Sequence, residues 1–268
     1  MAKKDTSTAV VERVQAAEET QALAKVGERR ISANLQALDG VDANDKRGLE
    51  GTDKGDFIIP RLALCQSNSP QRKRANDKFI PGLEEGGMFN TLTQELYEQN
   101  LPFIPIVLRK HAIEFKDMDQ GGGIIDRNVP FNDPRCEYDN SKTGKEAKPK
   151  ATRFYDWLSY LPETGELVVI SFKGSSEKAG KKIVTLSSTV RPGPVFSHLY
   201  RLSTANKQEN GYDWHLFNVV PAGKPEVGDA LIAEQAYEKF KGGIGKYDED
   251  TAAEVAGEVV DGEVEKEL

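Results

Sequence analysis

Three strand-like runs, one helix-like run and two further strands follow one another along this 268-residue chain. That order predicts a mostly β fold with minor α, an OB-fold-like five-stranded barrel whose helix lies between the third and fourth strands. Long loop insertions interrupt it, and both ends differ from the middle in composition. The expected organisation is a flexible or helical N-terminal segment and linker over residues 1–55, an OB-like core over 56–243, and a disordered acidic tail over 244–268.

Residues 1 to about 50 are rich in Ala, Glu, Gln, Arg and Lys and hold no aromatic residue. Val10, Val14, Ala17 and Leu23 form a thin apolar stripe within a helix-compatible stretch from Thr8 to Leu38. Gly27 interrupts it, so a frayed or partner-dependent helix is expected. Gly40 to Gly55 reads as linker. From Asp56 the texture changes. Phe57 to Cys65 (FIIPRLALC) is a compact apolar run that Pro60 confines to a sheet edge or a bulge. Gln66 to Lys78 is a polar loop carrying Arg72, Lys73 and Arg74. Phe79 to Asn100 reads as loop with one short helical turn.

Leu101 to Phe115 (LPFIPIVLRKHAIEF) is the first long strand signal. Asp117 to Lys150 reads as a surface excursion. Its Gly121 to Gly123 lack the Gly-Lys-Ser/Thr of a phosphate loop, which excludes that function. Thr152 to Leu161 and Glu166 to Lys173 make a hairpin around the turn Pro162 to Gly165. Ser175 to Leu186 fits a helix capped by Ser175 or Ser176, with Ala179, Ile183 and Leu186 on one face. Val195 to Thr204 is a strand, Ala205 to Gly211 a loop, and Tyr212 to Val220 the returning strand. Gly228 to Phe240 is a helix closed by Gly242 and Gly243.

Barrels of this kind bind oligonucleotides or oligosaccharides on one sheet face. A single-strand binder needs cations along the backbone path and rings on which bases stack. Strand alternation places Arg153, Tyr155 and Trp157 on one face, as an exposed stacking platform, and Phe154, Leu158 and Tyr160 on the other, as core. In the second hairpin Tyr212, Trp214 and Leu216 share a face, while Phe196, His198 and Tyr200 share another. Arg201 and Lys207 lie close by, and Lys173, Lys181 and Lys182 surround the helix. The candidate nucleic-acid-binding residues are therefore Arg153, Tyr155, Trp157, Lys173, Lys181, Lys182, Tyr200, Arg201 and Trp214, with Arg72, Lys73 and Arg74 from the basic loop.

Asp248 to Leu268 carries nine acidic residues and one Lys, so it holds −8 of the chain's net −7 and leaves a body near +1. So polar a segment buries too little apolar surface to offset its ordering entropy. A polyanion of this kind can occupy a basic groove until nucleic acid displaces it, and the freed tail can then recruit other proteins.

The residues argue against an enzyme. His111, His198 and His215 show no zinc-protease spacing, although His198 and His215 can face each other across the second hairpin. No Gly-x-Ser-x-Gly elbow surrounds Ser175 or Ser176, and Cys136 lies in a loop without nucleophile-motif glycines. Asp56, Asp117, Asp119, Asp126 and Asp133 lie in loops, where a two-metal nuclease needs acids clustered on strand ends. No cofactor and no metal are expected. Cys65 and Cys136 form no disulfide framework, which points to a reducing, cytoplasmic setting. No stretch is long and apolar enough to span a bilayer, and no secretory signal is evident.

An OB core followed by an acidic C-terminal tail resembles the single-stranded DNA-binding proteins, especially those of tailed bacteriophages. The runs DFIIPRLALCQ (Asp56 to Gln66) and PFIPIVLRK (Pro102 to Lys110) also look like phage replication-region proteins. The resemblance implies a protein that protects and organises single-stranded DNA in replication or recombination, in the host cytoplasm, as a possible homo-oligomer. Replication or recombination proteins would be its partners through the tail. The tail ends in Glu-Lys-Glu-Leu rather than the Phe-containing tip of better-known members, and their Gly/Gln/Pro-rich spacer is absent. The alternatives are a virion structural or assembly protein and a metal-dependent nuclease.

Overall fold

The structure, a computed structural model, describes residues 51, 58–117, 121–143, 147–209 and 211–244. The expected N-terminal helix, nearly all of the linker and the acidic tail from Asp248 lie outside these residues. The described chain is mostly β, with two helices. Its strands are β1 (Arg61–Leu64), β2 (Met88–Asn90), β3 (Leu96–Tyr97), β4 (Leu101–Phe115), β5 (Ile124–Val129), β6 (Ala151–Leu161), β7 (Glu166–Lys173), β8 (Leu199–Glu209) and β9 (Tyr212–Gly223). The helices are α1 (Glu177–Thr185) and α2 (Val227–Phe240). Among the described residues no helix is long and apolar enough to cross a membrane.

All nine strands join one curled, half-barrel sheet in the order β3-β2-β1-β7-β6-β4-β8-β9, with β5 also paired to β4. The long β4 makes the curl possible. Its first residues, Leu101 to Phe103, pair antiparallel with β8, and from Ile104 it pairs with β6. The β4–β6 register slips between Pro105 and Val107. Pro105 has no N–H to give the ladder, so a bulge forms there, and bulges bend a strand and raise its twist. One bent strand thus serves two parts of the sheet.

The curl has a core on each face of β6. Inside it, Leu62, Phe103, Tyr155, Trp157, Ile170, Phe172, Tyr200, Leu202, Phe217 and Val219 pack together with Ile183 of α1. On the opposite face Ile104, Ile106, Leu158, Tyr160 and Val169 pack under Ala233 and Ala236 of α2. Strand β6 is consequently buried without interruption from Phe154 to Leu161, as a strand sandwiched between two layers must be. Helix α1 approaches unusually closely. A Cβ on Gly180 would lie 2.9 Å from both the Phe172 and Tyr155 Cβ atoms, so only glycine lets the helix seat there.

Several expectations change. The sheet has nine strands, not five. The stretch Phe79 to Asn100 contains β2 and β3, and the insertion contains β5. Residues 205–209 continue β8 rather than looping, so β8 and β9 meet in a tight hairpin. Val195–Ser197 is a 3-10 turn and β8 begins at Leu199. Ser176 occupies the N-cap of α1 but caps nothing with its side chain, because its hydroxyl bonds elsewhere.

Candidate nucleic-acid cleft

Strand β1 pairs with β7 through only two residues, Arg61 opposite Val169 and Leu62 opposite Ile170. Beyond that point the curl brings β9 alongside without a backbone ladder, and side chains bridge the seam instead. The Gln66 amide donates through Nε2 to the His215 carbonyl at 2.8 Å and accepts from the His215 N–H through Oε1 at 2.9 Å. The Ser176 hydroxyl accepts from the Phe217 N–H at 2.9 Å, and the Ser175 hydroxyl accepts from the Trp214 indole N–H at 3.0 Å. Gln99 ties the neighbouring corner, accepting from the Thr204 N–H at 2.8 Å. The His215 ring rests on Gly86, where a Cβ would lie 2.5 Å from the ring, and Gly86 also holds φ +77°. Glycine is required there on both counts.

Where the backbone ladder stops, a cleft opens between β1, β7 and β9. Arg61, Gln66, Ser171, Lys173, Ser175, Trp214 and His215 line it. It encloses ≈ 50 Å³, room for a few water molecules. Arg61 is 5% exposed and has its Nη2 3.5 Å from Asp156 Oδ1 and bonded to the Ser171 hydroxyl. Asp156 is fully buried and also faces His111 Nδ1 at 3.6 Å. The Lys173 ammonium stands 5.6 Å from the Phe154 ring centre, and Lys207 stands 5.0 Å from that of Trp214. A buried carboxylate thus has a guanidinium beside it, while Lys207 borders the half-buried indole and the buried Lys173 ammonium stands over Phe154. The indole is oriented by its bond to Ser175. An oriented ring beside an exposed ammonium group can stack a planar aromatic group and hold an anion carried with it.

Of the residues expected at a binding surface, Lys173 and Trp214 meet in this cleft. Trp157 does not: it is 4% exposed within the inner core. Tyr155 and Tyr200 are buried in the same cluster, and the Tyr200 hydroxyl shares a hydrogen bond with Ser187 at 3.1 Å. The open platform of Arg153, Tyr155 and Trp157 is therefore corrected. Alternation sorted the faces of β6 properly, but both faces are covered. Arg153 reaches outward into the insertion, where it bonds Glu137 and donates to the Phe131 carbonyl at 2.9 Å. Glu137 holds the Arg153 guanidinium above its ordinary pKa.

Lys181 pairs with Glu177 at 2.5 Å, which raises its pKa, and Lys182 donates to the Val219 carbonyl at 2.6 Å. Arg201 is exposed on β8. In the basic loop Arg72 pairs with Glu85 at 3.2 Å, while Lys73 and Arg74 are exposed. His198 does not face His215. Its ring nitrogens lie 2.8 Å from the Arg191 carbonyl and 3.1 Å from that of Pro194, and His215 pairs instead with Asn206.

Asp126 and Asp133 converge with Glu114 on Arg135, at 3.2, 3.0 and 2.6 Å. The Arg135 hydrogen bonds hold the Asp133 carboxyl below its ordinary pKa. Asp56 and Asp119 lie outside the described residues. Among the described residues no group of three His, Cys, Asp or Glu side chains is placed to hold a metal.

Arg61, Gln66 and Ser171 of the cleft are not singled out by the sequence reading, and His215 enters it only as a possible partner of His198. Arg61 carried a signal, as the one charged residue within the apolar run Phe57 to Cys65. The sequence pattern offers Ser175 or Ser176 as a helix cap, and the Ser175 hydroxyl serves the indole instead.

No curated protein and no solved structure matches the chain. A family model described as Pam3 phage gp34-like protein matches residues 30–246, which takes in all nine strands and both helices. The chain belongs to the Pam3 phage gp34-like protein family.

Proposed function

We propose that this phage-family protein binds single-stranded DNA in replication or recombination, with the cleft between β1, β7 and β9 as its contact surface. The observation that carries the proposal is Trp214, oriented by Ser175, flanked by Lys207 and set in a cleft with Lys173. Bases stack on the indole and a phosphate meets the exposed Lys207. The partial order β7-β6-β4-β8-β9, with α1 between β7 and β8, supports treating these five strands as an OB-like core extended by β1, β2 and β3. On that treatment β6 and β7 are the second and third strands, on whose face such barrels take oligonucleotides. The tail from Asp248 acts as a competing polyanion and as the handle for replication or recombination proteins.

Titration with oligo-dT tests the proposal. Trp214→Ala lowers affinity by about 1–3 kcal/mol. Trp214→Phe keeps most of the affinity and loses most of the fluorescence quenching, since Trp157 is buried. Affinity falls with salt, by a log–log slope of about −0.7 per phosphate contacted. Removing residues 248–268 tightens binding at low salt. Absence of binding by the tail-less protein at low salt removes the proposal.

A further inference from the structure

Of the three residues expected to form a platform on β6, Trp157 is core, but Arg153 and Tyr155 both lie against Phe131 of the chain's own insertion. The Phe131 ring stands edge-on to Tyr155, centres 5.3 Å apart at 85°. Lys110 Nζ lies 4.2 Å from the Phe131 ring centre, and the Arg153 guanidinium carbon lies 5.5 Å from it. Six residues on, the Glu137 carboxylate takes the Arg153 Nη2. An aromatic ring between two cations, with an anion on one of them, is the arrangement a base and its phosphate would make in the same place.

The backbone that presents these two side chains is anchored separately. Arg135 binds Glu114, Asp126 and Asp133, and the buried Cys136 packs with Ala112, Val129 and Ala151. The Glu137 side chain, by contrast, is 66% exposed, and ion pairs so exposed are weak. Phe131 is half-buried. Both side chains can swing out while the anchored backbone stays in place.

We infer that Tyr155, Lys110 and Arg153 form a second base-stacking subsite, which Phe131 and Glu137 occupy until a nucleotide of a bound strand displaces them. The inference rests on the single-strand-binding reading and adds a site and a competition to it. Strands long enough to reach from the cleft to this subsite would displace the ring. Short ones would engage the cleft alone.

The test compares oligo-dT of increasing length on the full-length protein. Phe131→Ala tightens binding of long oligonucleotides by about 5-fold or more, the low end of one base stack. It leaves the shortest oligonucleotide that quenches Trp214 unchanged. Adding Lys110→Ala, a change at an exposed position, cancels the gain. Glu137→Gln, which keeps the ring, tightens long oligonucleotides about 2-fold by releasing Arg153, and it decides the matter if Phe131→Ala fails to fold. A long-oligonucleotide affinity unchanged by Phe131→Ala, or by Glu137→Gln in that case, overturns the subsite while Trp214→Ala still weakens binding. A gain that Lys110→Ala leaves intact overturns it as well. Absence of binding by every variant removes the parent reading along with it.

Discussion

Gln66→Met should destabilise the protein by about 2–3 kcal/mol, because one side-chain amide stands in for a missing ladder between β1 and β9. Gln66 is 8% exposed and makes two hydrogen bonds to His215, at 2.8 and 2.9 Å, across 149 residues of sequence. Each is worth about 1 kcal/mol net. Their loss leaves the His215 N–H and carbonyl without partners at a half-buried position. An unmade bond to a buried group costs about 1–3 kcal/mol, and partial access of water holds the total toward the lower end. Methionine keeps the length and fills the space, so no cavity term enters. For a core of this size the melting temperature should fall by about 5–10 °C. Urea unfolding, followed by circular dichroism and fluorescence, reads the change, with the m-value fixed because the surface exposed on unfolding is the same. The variant should also bind oligo-dT less tightly, since the bond holds two walls of the cleft together. A Gln66→Met protein within about 0.5 kcal/mol of the parent would refute the claim that side chains close the curl.

Two further outcomes follow from the packing and the charges. Gly180→Ala gains about 1 kcal/mol of helix propensity but must push the new Cβ away from Phe172 and Tyr155 at 2.9 Å, an overpacking cost of about 1–3 kcal/mol. Chemical denaturation should show a net loss, and a stabilised variant would show that α1 does not seat on the sheet as described. Asp133 has its folded pKa below the ordinary 3.8 because Arg135 bonds it. Its contribution is fully present above the unfolded value and lost as pH falls through the folded one. Amide exchange over residues 130–138, corrected for intrinsic rates, should therefore quicken only below about pH 4. Quickening already near pH 6 would contradict the Arg135 anchor.

Long elements with strong apolar character were legible. Strands Leu101–Phe115 and Glu166–Lys173 have the bounds their patterns predict, and β6 and α2 differ by one residue at the start. The short strands were not. β2 and β3 have three and two residues, too few for alternation to show; β2 exists because β1 offers an edge to pair with, and β3 because β2 does. The far end of β8 reads as loop in the sequence, since Ala205, Asn206, Lys207 and Gln208 are exposed in the fold and no buried face imprints a period on them. Only the partner strand β9 makes that segment a strand.

The site was harder to read than the fold for a related reason. A ring next to an arginine on one face of a strand means exposure only if that face meets water, and α1, the β8–β9 hairpin and, over Tyr155, Phe131 of the insertion cover the face that holds Tyr155 and Trp157. Trp157 and Trp214 have the same side chain and both lie on aromatic strands. What separates them is that Trp157 sits mid-ladder, between Leu108 and Ile170, whereas Trp214 sits where β9 meets β1 and β7 without a ladder. A sheet that curls without closing leaves N–H and carbonyl groups at its seam, and these must be bonded by side chains or by a ligand. Polar residues collect at the seam for that reason, and Arg61, Gln66, Ser171, Ser175 and Ser176 are found there. Arg61, Gln66 and Ser171 stand out in the sequence as single polar positions in or just beyond apolar runs. In a fold of this kind they mark the open seam, and with it the cleft, more reliably than the rings do.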